Sequence, residues 1–176
     1  MSTEWCFARE RKLRRMSEKM LKPLLVGQAP GESGDGIPLS GRCGRKLCGL
    51  MKTDLDDYLE KFDRVNVLDF FPGKNGKGDA FPINKAREMA SRIRLGERPF
   101  VVLLGRNVAR AFGMAKMDPL TWTTVRGTPV ALVPHPSGVN RWWNDCTNVR
   151  RARRFLRNIY NVARVNCELS SSSKAC

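Results

Sequence analysis

The chain has 176 residues, of which 32 are Lys or Arg and 17 are Asp or Glu, giving a formal net charge of +15. That length suits one packed domain rather than two, and no apolar run approaches the roughly 18 residues of a bilayer span, so a membrane protein is excluded and a soluble one expected. The cationic excess points to a polyanionic partner, nucleic acid ahead of anionic lipid, because the basic head shows little apolar face beyond Leu13, Met16 and Met20.

In chain order, residues 1–22 form a basic head, expected as an extra helix or an arm. It has no continuous apolar block or small-residue cleavage site, so no secretory signal is expected and residence is expected to be cytoplasmic. A first strand is predicted over 23–27 (PLLVG), followed by the glycine- and proline-rich loop GQAPGESGDGIPLSG and by helices over 43–53 and 54–62. A second strand is predicted over 65–71 (VNVLDFF), then a Gly, Lys and Asn loop, and a helix over 82–95 with Pro82 in its first turn and Gly96 as its stop. A third strand over 100–105 (FVVLLG) leads into a helix over 107–114 with Asn107 as N-cap. After a fourth strand over 129–134 and the segment HPSGVNRWW, a last helix over 148–165 sets Arg150, Arg151, Arg153, Arg154 and Arg157 beside Phe155, Leu156, Ile159 and Tyr160. One of its faces packs and the other is cationic. The tail, 166–176, is polar and expected to be disordered, which leaves 23–165 as the domain.

The four apolar runs lack polar alternation, as strands covered on both faces do. Strands alternating with helices imply right-handed crossovers. The predicted fold class is therefore α/β, a three-layer sandwich with a central four-stranded parallel sheet. The six cysteines, Cys6, Cys43, Cys48, Cys146, Cys167 and Cys176, show no C-x-x-C pair and no zinc spacing, so reduced thiols and no metal are expected.

Ligands of open α/β sheets sit beyond the carboxyl ends of the strands. After the first strand, Gly27 and Gly31 allow close backbone approach to a ligand, yet the loop lacks the G-K-[ST] ending of a phosphate-binding loop and the spacing of a dinucleotide fingerprint. In the second strand Asn66 is a polar residue among apolar ones, either a satisfied edge position or a site residue. After the fourth strand comes His135, the only histidine, held between Pro134 and Pro136 whose fixed φ would pre-position it.

Taken together, LLVGQAPGE…GIPLSGRCGRKL, VNVLDFFPG, VVLLGRNVARAFG and HPSGVNR resemble, in order, the motifs of the uracil-DNA glycosylase superfamily over roughly residues 23–160. The resemblance implies a glycosylase that flips a base out of DNA and hydrolyses its N-glycosidic bond. It assigns His135 to the carbonyl of the leaving base and Asn66 to the edge of a pyrimidine. Gln28, Ala29 and Pro30 line the base and the attacking water. Gly138, Val139, Asn140 and Arg141 form the wedge that fills the vacated stack. Ser137 and the first-loop amides hold phosphates. Independently of the resemblance, the cationic face of the last helix is expected to add DNA contacts through Arg150 and Arg154. Trp142 and Trp143 either stack on bases or anchor the loop.

The chain departs from the family pattern in three places. Ala29 stands where the most studied branch has its water-activating Asp, which leaves Asp35, Glu32 and Asp69 as the available carboxylates, Asp35 favoured for its nearness to GIPLSG. Leu39 stands where many members stack an aromatic ring on uracil, so a wider slot is expected, accepting uracil or a modified pyrimidine up to the bulky bases of phage DNA. That makes antiviral defence an expectation beside base-excision repair. The four-cysteine set of an iron–sulfur cluster is missing, so no cofactor is expected. A Schiff-base lyase step is not expected, so the enzyme is expected to be monofunctional; a monomer is also expected. The rival readings are a catalytically silent DNA-binding module of the same fold and an RNA- or nucleotide-binding domain.

Overall fold

A computed structural model describes residues 21–32, 36–76, 78–96 and 98–172. The basic head up to residue 20 and Asp35 lie outside the described residues. Four strands run parallel, in the order β2 (Asp63–Asn66), β1 (Leu24–Gly27), β5 (Val101–Leu104) and β7 (Thr128–Val133), and β6 (Trp122–Val125) pairs antiparallel with β7 at the edge. Five helices are described: α1 (Arg42–Met51), α2 (Leu55–Lys61), α3 (Ile83–Arg92), α4 (Arg106–Ala111) and α5 (Cys146–Ser172). A small ribbon, β3 (Lys74–Asn75) with β4 (Gly78–Asp79), rises from the connection after β2.

Because side chains alternate across a strand, the uninterrupted apolar runs supply both faces of the sheet. Leu25, Val102, Leu104, Ala131 and Val133 join α1, α2 and α5 in one core, while Leu24, Val26, Val101, Leu103, Val130 and Leu132 join α3 and α4 in another. The architecture is the expected α/β sandwich, with one more strand than predicted. The fifth strand arises because Arg126 and Gly127 both adopt positive φ, 50° and 83°, the two-residue turn whose twist matches a hairpin. On α5, the stripe Ala152, Leu156, Ile159 and Ala163 is buried at helical spacing, and Arg150, Arg151, Arg153 and Arg154 face out.

Several predicted boundaries move. The second strand ends at Asn66: the amides of Val67 and Leu68 still donate to the carbonyls of Gly27 and Gln28, at 2.9 and 3.0 Å, before the chain leaves the sheet. Asn66 therefore stands at the strand's carboxyl end rather than within it. α3 stops at Arg92, short of Gly96, and Pro82 holds its N-cap position. Gly105 occupies the N-cap of α4, so Asn107 lies inside that helix. α5 continues to Ser172, into the stretch expected to be without structure.

Candidate active site

Gly27 and Asn66 are partners in the β1–β2 ladder, at the last residue of both strands. A Cβ on Gly27 would stand 2.4 Å from Asn66 Oδ1 and 2.9 Å from Leu39 Cδ2, so only glycine lets the amide and the leucine close on this point. Asn66 Oδ1 is buried and accepts no hydrogen bond from the described residues. An unmatched buried acceptor costs about 1–3 kcal/mol, and a ligand N–H would recover it.

Leu39 adopts φ 57°, in the region favouring glycine, and its loop is held from several sides. Its carbonyl accepts from the Tyr58 hydroxyl at 3.4 Å and sits where a Cβ on Gly44 would come within 1.8 Å, and Ser40 Oγ donates to the Ile37 carbonyl at 2.9 Å. α1 then begins with no side-chain cap on Gly41 and no acidic residue in its first turn, leaving amide donors that favour an anion.

His135 leaves β7 and leans over the end of β5. Gly105, at φ 107°, donates from its amide to the Val133 carbonyl at 2.8 Å, and a Cβ there would meet His135 Cβ at 2.9 Å. The His135 carbonyl accepts from Asn140 Nδ2 at 3.0 Å and from Trp143 Nε1 at 2.8 Å, while Asn140 Oδ1 caps the following 3-10 turn through the Trp142 amide. Trp143 is buried and meets Trp142 edge-on at 4.8 Å, so Trp143 is the loop's anchor. Burial lowers the pKa of His135, with Asp79 acting to raise it and Lys46 to lower it further. Burial likewise pushes the Cys43 thiol up, and the same Lys46 and Asp79 act on it in opposite senses.

Neither Asp79 nor Lys46 carried a signal that sequence reasoning used. Asp79 sat in a glycine-rich loop with no pattern to mark it, although Lys46 could have been noticed as a charged residue within the G-x-x-G-x-x-L helix segment.

The remaining predicted residues distribute as follows. Gln28 is tied to α4, its Oε1 accepting from Asn107 Nδ2 at 3.3 Å. Ala29 packs against the core on the α3 and α4 side, and Pro30 is half-buried. Glu32 forms an ion pair with Lys74 of the ribbon at 2.9 Å, with both side chains about two-thirds exposed (64% and 67%). Asp69 is exposed, as are Gly138 and Arg141, while Ser137 is half-buried and its carbonyl accepts from the Asn140 amide at 3.3 Å. Ile37, Phe70 and Val139 are 50%, 42% and 71% exposed, and each stands on a loop that follows a different parallel strand. Large apolar side chains bared together at one end of a sheet mark a contact surface, and Arg141, Arg150 and Arg154 are exposed on the adjoining turn and helix.

A family model described as "Uracil DNA glycosylase superfamily" matches residues 15–161, from before β1 well into α5. No curated protein matches the chain.

Proposed function

The chain belongs to the uracil DNA glycosylase superfamily, and from that premise we propose that it everts a uracil or modified pyrimidine nucleotide from DNA and hydrolyses its N-glycosidic bond, leaving an abasic site. The observation that carries this reading is the unsatisfied acceptor of Asn66 behind the bare Gly27, at the same end of the sheet as His135. Asn66 on β2 and Gly105, the seat of His135 just past the end of β5, stand at the ends of strands separated by β1 alone. Two strand spacings are about 10 Å, a gap on the scale of a flat base hydrogen-bonded at both edges.

In this reading Asn66 Oδ1 accepts from the ring N–H and its Nδ2 donates to the neighbouring exocyclic oxygen. His135, kept neutral by burial, donates to the base carbonyl on which charge gathers as the glycosidic bond breaks. Asp35 orients the water. Glu32 is the second choice, since it must leave its exposed pairing with Lys74. Val139 fills the stack that the base leaves, and Ser137, Arg141, Arg150 and Arg154 bind phosphates on either side. With Leu39 in place of a ring the slot is wider, which favours a bulky modified pyrimidine and a role against modified foreign DNA over general repair.

The test is strand scission by alkali after incubation with duplexes carrying uracil, hypoxanthine or bulky hydroxymethylpyrimidines. One duplex is expected to yield abasic sites, with turnover falling on the order of 100-fold in His135→Ala and in Asp35→Asn while duplex binding persists. Binding without scission on any duplex would leave the silent DNA-binding module as the function.

A further inference from the structure

Phe70 takes no part in the chemistry above and none in the core. Val67 and Leu68 are buried in the cluster on the α3 and α4 side of the sheet, but Phe70 packs into neither cluster. It is 42% exposed and makes none of the ring contacts among the described residues, whereas the other exposed aromatic, Trp122, meets both Phe100 and Phe155. The segment that carries it is nevertheless tied down on both sides. Before it, the Val67 and Leu68 amides are bonded to the Gly27 and Gln28 carbonyls at the edge of the site. After it, Pro72 fixes one φ, and the Gly73 carbonyl accepts from the Ala80 amide at 2.9 Å, closing the root of the ribbon. A bare aromatic ring is therefore held four residues past Asn66, at the end of the sheet where Ile37 and Val139 are also bared.

Resting on the reading that this end of the sheet takes DNA, we infer that Phe70 stacks on an unpaired base beside the everted nucleotide, so that single-stranded or locally unpaired DNA is the preferred substrate. The charges around the ring favour a base over a phosphate as its occupant. Asp69, next to it, is exposed, and Lys74 is already paired with Glu32. An aromatic ring stacks on any base, because every base has a π-face. A closed duplex offers no such face, since each base is covered by its neighbours, and the one gap that eversion opens is filled, in the reading above, by Val139. Phe70 cannot share that gap. It follows β2, while Val139 follows β7, with β1 and β5 between those strands. Three strand spacings are about 14 Å, several stacked bases at about 3.4 Å each, so the two side chains meet different bases.

The probe is a single-stranded oligonucleotide with a stable abasic analogue at the target position and an iodopyrimidine at each neighbouring position in turn, which removes any dependence on the identity of the excised base. Irradiated in complex with full-length protein, one flanking position should give a photo-adduct that peptide mapping places on Phe70. Phe70→Leu keeps an apolar side chain without the ring. It should lose the adduct and bind this strand more weakly, on the order of tenfold, and Phe70→Trp should retain wild-type affinity. Annealed to its complement, the same oligonucleotide should bind Phe70→Leu and wild-type protein alike. The thermal melt of Phe70→Leu should match that of the wild type, because the ring packs into neither core cluster. A lowered melt, no adduct on Phe70 from any position, unchanged affinity for the single strand, or an equal loss on both DNAs would overturn the assignment. Base release with no Phe70 adduct sinks the stacking role alone, and the adduct without base release on any modified DNA sinks the excision reading alone.

Discussion

His135 is the chain's single histidine, so its charge state is directly readable by NMR. Burial is the main cause of its lowered pKa, and its titration midpoint is expected below the ordinary value of about 6.5. Lys46→Met should move the midpoint up and Asp79→Asn should move it down, by removal of opposite charges. The sign for stability follows. The folded state binds its proton less readily than the unfolded chain, so His135 costs nothing above pH ~6.5 and destabilises progressively as pH falls from there to its folded pKa. A midpoint at or above 6.5 would contradict the buried, neutral donor. Leu39 offers a second residue-scale test. Leu39→Phe supplies the missing ring, and since base–aromatic stacking contributes about 1–3 kcal/mol, uracil excision should rise on the order of tenfold relative to excision of bulky bases. Unchanged relative rates on paired duplexes would show that residue 39 does not line the slot.

At the scale of elements, two glycines set how closely the strand ends and loops approach. Gly27→Ala would drive a methyl into Asn66 Oδ1 and Leu39, with activity expected to fall as far as in Asn66→Ala. Gly105→Ala meets both a φ of 107° and the Cβ of His135, and should cost about 1–3 kcal/mol in backbone strain alone, visible in a thermal melt, besides displacing the imidazole. A fully active Gly27→Ala protein would mean that the Asn66 amide is not the base reader. The strands and most helices were legible because burial on both faces leaves a plain apolar run. β6 was not: its residues are mostly exposed, so it lacks that run, and the clue lay only in the Arg126–Gly127 turn. Asn107 resembled an N-cap by type and position, yet Gly105 takes that place and frees the Asn107 amide to hold Gln28.

For the whole molecule, the proposed reading gives the charge of +15 its role where it meets the proposed wedge. Arg150 and Arg154 stand a turn apart and exposed on the start of α5, directly after the His135 loop. Each phosphate contact contributes about 0.9 to the slope of log affinity against log salt. The double change Arg150→Glu with Arg154→Glu should flatten that slope by about 2 and weaken binding similarly across sequences. An unaltered slope would put the DNA elsewhere. Concavity is a poor guide here. A cleft of about 490 Å³ lies among Arg98, Pro99, Arg126 and Thr128, and one of about 190 Å³ between Trp122, Phe155 and Val162, with neither His135 nor Asn66 in their walls.

The order of the four parallel strands and of the helices between them was determined by the sequence itself, because each depends on neighbours within a few residues along the chain. What the tertiary structure decided is which distant groups meet. Asn66 Oδ1 is left without a partner behind Gly27, Glu32 is drawn to Lys74, and Lys46 and Asp79 are brought within electrostatic reach of His135. Those encounters are fixed by crossovers and packing across the sheet, and a buried acceptor becomes chemically distinctive only once folding has removed water from around it.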